Sequence, residues 1–299
     1  MNSRSVRRGA VALAAVLALG LQATAMGIAS AVSQENVTPT PGPQLPPPDG
    51  SEFALLGLTH AKLKTVQSTK PAAVICPHKM DNSPNGVLIV ERGANIPAIA
   101  TGQARFRGHD ATPANVGTIW ATKFTNLATS NVVYGAYYKW NPPLYGDLDG
   151  DGQVACDKDA VVDYEDFAQA CGVSGSIPGK FTNKNSNELV VKSGKIHTLT
   201  SGTYNFTEVK VAANAALLAA PGSTGTIFTN QVTASAGAKI DLPGWKVVAV
   251  VGKVAMDANV VADGLFLSLR DDLTADIGTQ LSGRFCGYRI VLGERVTVR

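Results

Sequence analysis

VKVAANAAL from Val209, VTASAGAKI from Val232, VAMDANVVA from Val254, LTADIGTQL from Leu273 and IVLGERVTV from Ile290 are five versions of one nine-residue phrase. Their first residues lie 23, 22, 19 and 17 positions apart. Recurrence near 20 residues marks a solenoid in which each repeat makes one coil. The first and third positions are apolar in every copy: Val209/Val211, Val232/Ala234, Val254/Met256, Leu273/Ala275 and Ile290/Leu292. That alternation describes a strand with one buried side. The sixth position is Asn214, Gly237, Asn259 or Gly278, residue types that accept a left-handed backbone, so the chain is expected to turn a corner there. Arg295 breaks this rule in the last copy, with Gly293 two residues earlier. An apolar residue returns at the ninth position as Leu217, Ile240, Ala262, Leu281 and Val298.

Apolar runs precede the later copies: 226–228, 247–251, 265–269 and Phe285. Each coil therefore reads as strand, corner, strand and a looser return. Stacked coils about 4.8 Å apart would bury ladders of Val, Leu, Ile and Ala. The expected class is all-β, a parallel β-helix (β-solenoid) with a small inserted calcium-loop and helix module. The competing arrangement is a β-sandwich. Composition agrees with a narrow interior: 45% of residues are hydrophobic but only 6% aromatic. The net charge is +3, yet Arg4, Arg7 and Arg8 account for all of it, leaving 23 basic against 23 acidic residues. This balance argues against nucleic acid as a partner.

Residues 1–31 read as a signal peptide, with arginines, an apolar stretch from Gly9 to Leu21 and a small-residue cleavage site at Ala29-Ser30-Ala31. An uncleaved anchor is the alternative, since 9–32 is long enough to span a bilayer. A membrane is a partner only in that case. Residues 32–52 form a linker whose 37–50 stretch holds six prolines, a semi-rigid spacer. Residues 53–135 read as an N-terminal solenoid block, with further copies of the phrase from Leu88, Ala104 and Phe124. Residues 136–180 break the pattern and read as an inserted calcium-loop module. Residues 181–299 form the C-terminal block.

The insertion carries Asp147-Leu-Asp149-Gly-Asp151-Gly152-Gln153-Val154. A D-x-D-x-D-G run supplies carboxylates at loop positions 1, 3 and 5, and the glycine allows the turn at position 6. The Gln153 carbonyl would be the seventh-position ligand, and Asp159 or Asp163 would close the site. Ca2+ is the expected cofactor. A helix is expected after the loop, from the apolar spacing around Val162, Phe167 and Ala170. The loop resembles those of dockerins and Excalibur-type extracellular modules, although Lys158 stands at position 12. The four cysteines are expected to form two disulfides, since an exported chain with an even count favours them. Of three connectivities, the local one pairs Cys156 with Cys171 and leaves Cys76 with Cys286. His60, His78, His109 and His197 lack zinc-ligand spacing.

Gly-Thr-Tyr-x-Phe-x-x-Val-x-Val from Gly202, followed by coils ending in Gly-x-x-Ile-Val-Leu-Gly-x-x-Val-Thr-Val, resembles the β-solenoid domain of choice-of-anchor A and PilX-like bacterial surface proteins. The resemblance implies an extracellular or cell-surface location. It also implies a structural or adhesive role without catalytic residues, with a surface polymer, glycan, pilus or matrix component as partner. The alternative is a carbohydrate-active enzyme or glycan binder on the same scaffold. There Trp120, Trp140 and Trp245, with Tyr134, Tyr137, Tyr138 and Tyr145, would stack on sugars. Asp271-Asp272 resembles the paired aspartates of polygalacturonases, but the companion motifs are missing, and the pair reads as a solvated turn.

Overall fold

The phrase strands stack in parallel, each directly over the same position of the next copy. The computed structural model describes residues 53–76, 86–107, 112–126, 132–139, 162–182 and 187–299. These form a parallel β-solenoid of about ten turns with three faces. One inward ladder on the first face runs Leu189, Val209, Val232, Val254, Leu273, Ile290, Ala61, Leu88, Ala104 and Phe124, each the partner of the next. All ten side chains are buried. The weaker N-terminal copies from Ala104 and Phe124 thus share the register of the strong ones.

The corner between the first and second faces falls where the sequence places it. Asn214, Gly237, Asn259 and Gly278 have φ of 56°, 70°, 60° and 73°. Arg295 adopts φ 55° and Thr65 φ 39°, so the last copy keeps the corner despite its residue type. Stacking fixes this turn: the N–H of Gly237 donates to the Ala258 carbonyl (3.0 Å), that of Asn259 to Ile277 (2.9 Å) and that of Gly278 to Glu294 (3.0 Å). Gly194, at φ 67°, marks one more coil, Leu189 to Leu199, that the sequence reading passed over. At Gly278 a Cβ would run into the Asn259 side-chain oxygen of the neighbouring coil. Gly278→Ala is therefore expected to cost about 1–3 kcal/mol in urea denaturation, because left-handed strain adds to that collision. An unchanged midpoint would refute this account of the corner.

The expected looser return is in fact a third sheet. The runs before each phrase lie in strands Gly225–Thr229, Lys239–Ala249, Val261–Ala275 and Gln280–Leu292, paired in parallel. Their inward residues Ile227, Val247, Phe266 and Phe285 join the main core, while Val248, Val250, Leu267, Leu269 and Cys286 are buried on the outer side. Burial on both sides explains why these runs are almost wholly apolar, Thr226 and Ser268 apart, whereas the other two faces alternate.

Coil order does not follow chain order. Strand Leu55–Leu63 pairs with Gln280–Leu292, with Leu55 over Phe285 and Leu63 over Leu292. The N-terminal block therefore sits on the last C-terminal coil, and the two blocks make one stack. The N-terminal block ends with strand Val132–Lys139, which pairs with Ala114–Asn126 and runs past the expected boundary at 135. The chain thus leaves the stack at one end, at Lys139, and re-enters it at the other, at Glu188. Aromatic rings fill the interior at both ends. Phe124 packs edge-on against Tyr134 (5.3 Å) and Tyr137 (5.4 Å) at one, and Tyr204 stacks on Phe206 (6.1 Å) and Trp245 (5.8 Å) at the other.

Candidate functional site

Residues 162–182 are the described part of the connection between the two ends, and they lie along the outer side of the third face as a strap. Helix α1 (Tyr164–Ala170) starts where Asp163 caps it: the Asp163 carboxylate accepts from the N–H groups of Glu165 (2.7 Å) and Asp166 (3.1 Å). Such a cap satisfies donors that have no partner within the helix. Phe167, Ala168 and Cys171 are buried in the cluster that holds Leu267, Leu269, Leu56 and Leu58. Arg284 donates to the Ala170 carbonyl (2.9 Å), and the Arg270 guanidinium lies 4.4 Å from the centre of the Tyr164 ring. Further along, the Phe181 N–H donates to the Asn230 side-chain oxygen (2.8 Å), and the Asn230 amide donates back to the Phe181 carbonyl (2.9 Å).

The disulfides differ from the expected pairing. Cys171 is bonded to Cys286, which rules out both Cys156–Cys171 and Cys76–Cys286. Local spacing suggested a bridge inside the module. Instead Cys171, at the C-cap of α1, faces the outward column of the third sheet, where Cys286 sits. Cys76 is also disulfide-bonded. The expected calcium ligands Asp147, Asp149, Asp151, Gln153 and Asp159 lie outside the described residues, as do Cys156, Trp140 and Tyr145.

Three of the residues expected to stack on sugars are core, Trp245, Trp120 and Tyr137. Trp245 is 1% exposed and donates its indole N–H to the Ser223 carbonyl (3.1 Å), and Trp120 is 6% exposed and stacks on Tyr138. Tyr137 is buried in the end plug, and its hydroxyl donates to the Ala121 carbonyl (3.4 Å). Asp272 is held in a two-point ion pair by Arg289 (2.6 and 3.2 Å), while the Asp271 carboxylate accepts from the Asp272 N–H (2.8 Å).

His60 lies over Arg289 on the outer first face. Burial pushes its pKa below the ordinary 6.5, helped by the charges of Arg289, Lys62 and Arg105 and opposed by Asp272. Protonation therefore favours the unfolded chain. The stability that neutral His60 provides is present above pH 6.5 and is lost as pH falls from there through the lower folded value. The melting temperature of His60→Gln should fall less between pH 7 and pH 5.5 than that of the parent. Parallel pH profiles would contradict this.

A cleft of about 510 Å³ opens at the corner between the second and third faces. Its floor includes Trp245, Gly264, Leu265 and Phe53, and its rim carries Lys70, Lys246, Arg284, Arg299 and Asp263. A second cleft of about 250 Å³ shares Asp263 and Arg299 with it and adds Lys239, Asp241, Gln280 and Ser282. Glycines line this corner because the coils touch there: a Cβ on Gly264 would meet the Leu242 carbonyl at 2.7 Å. Asp241, Asp263 and Ser282 stand on successive rungs of the second face, and Lys239 pairs with Asp241 (2.7 Å). Burial and the charge of Asp241 raise the pKa of Asp263, against hydrogen bonds from the Gly264 N–H and the Ser282 hydroxyl. The sequence reading missed this site. Its residues come from coils far apart in the chain, and Lys70 reaches it only because the N-terminal block stacks on the C-terminal one.

Neither the protein-family models nor the curated proteins compared with the chain give a match.

Proposed function

We propose that this chain is an exported bacterial surface protein of the choice-of-anchor A or PilX-like kind, with a structural or adhesive role and no catalytic one, stabilised by calcium. One observation carries the reading: a long parallel stack whose third face is sealed by a disulfide-fastened strap. Such a body is rigid, suits display and is suited to an oxidising compartment. The N-terminal stretch 1–31 and the proline-rich spacer support export followed by projection from a surface. Fractionation of expressing cells tests this directly: the mature chain should be recovered outside the cytoplasm, and cytoplasmic retention would overturn it.

The calcium part of the proposal uses Asp147, Asp149, Asp151 and the Gln153 carbonyl. Asp159 closes the site, or Asp163, whose carboxylate also caps α1. Removing calcium with a chelator should lower the melting temperature by several degrees, because a ligand bound only by the folded state stabilises it. The loss should be restored by calcium, and Asp149→Ala should abolish the response. A melting curve indifferent to chelator would refute calcium stabilisation.

A further inference from the structure

We propose that the corner cleft is a binding site for an acidic oligosaccharide, with Lys70, Lys246 and Arg299 holding sugar carboxylates. The clustering of charge comes first. Five cations, Lys70, Lys239, Lys246, Arg284 and Arg299, line the two joined clefts against two carboxylates, Asp241 and Asp263. Lys239 is paired with Asp241, and Arg284 is committed to the strap carbonyl of Ala170. Lys70, Lys246 and Arg299 enter no ion pair among the described residues. These three, opposed by Asp263, therefore set the charge offered to a ligand.

Shape selects a chain over a compact anion. The lining residues come from successive coils, from Lys246 through Leu265 and Arg284 to Arg299 and then Lys70. Four steps of about 4.8 Å make the cleft about 19 Å long, and the second cleft lies beside it on the same coils, sharing Asp263 and Arg299. A volume of about 510 Å³ falls in the range of small-molecule sites. The floor is apolar at Leu265 and Phe53, which suits the carbon face of a sugar ring, while Asp263, Ser282 and Gln280 offer hydrogen-bond partners for hydroxyls. Apolar floor, polar wall and cationic rim together describe a polyhydroxylated, carboxylated chain. This inference names the polymer for the adhesive reading above and rests on it only for biological setting.

Isothermal titration of the mature, calcium-loaded protein with tetragalacturonate tests the site. Its methyl ester, a neutral tetrasaccharide and polyphosphate serve as controls. Binding should be seen for the acid and weaken at least tenfold on esterification, and further as salt rises. Lys246→Ala and Arg299→Ala should each weaken it about tenfold, since each removes a charge-assisted hydrogen bond. Lys195→Ala, on a remote coil, should leave it unchanged. Three results overturn the proposal: no binding of the acid at millimolar concentration, equal binding of the neutral chain or of polyphosphate, or binding that survives both substitutions in variants with unchanged melting temperature. The adhesive reading has a separate readout. Absence of oligosaccharide binding by a chain that still reaches the cell surface sinks the cleft and spares that reading, whereas intracellular retention with oligosaccharide binding intact does the reverse.

Discussion

Phe285→Ala is expected to destabilise the protein by about 3–5 kcal/mol, the cost of removing a fully packed aromatic side chain and leaving a cavity. Phe285 is 0% exposed and stacks nearly parallel on Phe266, with ring centres 5.3 Å apart. It also lies at the seam between the two halves of the molecule. Its N–H donates to the Ala54 carbonyl (2.7 Å), and Leu55 is its ladder partner on the other side. In a solenoid each coil is stabilised by its neighbours, so a loss here is felt by both blocks. Urea denaturation followed by circular dichroism measures the effect. A loss under about 1 kcal/mol, well below the range for such a truncation, would mean that the N-terminal block does not stack on this coil.

Cys286→Ser should cost about 3–5 kcal/mol. The Cys171–Cys286 bond closes a loop of 115 residues, and the chain-entropy account of so long a loop gives about 4–5 kcal/mol. Freed from the bond, the strap would still be held by Arg284 and Asn230, but its grip on the apolar outer side of the third face would weaken. Cys171→Ser should cost the same, and the double substitution little more than either, because all three remove one bond. Costs that add in the double variant would show that the two cysteines act separately. Peptide mapping of the non-reduced protein provides a second check, with Cys171 and Cys286 recovered in one linked pair.

Part of the architecture was legible because a solenoid writes local rules into the chain. Alternation at 209–211 or 290–292 needs only one strand to be read, and the left-handed corner at Asn214 or Gly278 is a property of single residues. The third sheet was equally visible, in the unbroken apolar run 247–251 and in 265–269, where only Ser268 is polar. It was misread because such a run states burial on both sides without naming what provides the second cover. Arg295 shows the converse. Its residue type argued against the corner, and the hydrogen bonds of the neighbouring coils imposed it anyway.

The repeat, the inward ladder and the corner position can be read from the chain alone, because each depends on contacts within one coil or between coils adjacent in the chain. Long-range packing alone places Leu55–Leu63 on Gln280–Leu292, Cys171 against Cys286 and Lys70 with Lys246 at one cleft. Those pairings link residues more than 100 positions apart. A parallel strand edge accepts any strand of matching pattern, so which coil rests on which is settled by the packing of the whole stack and by the strap that seals its third face.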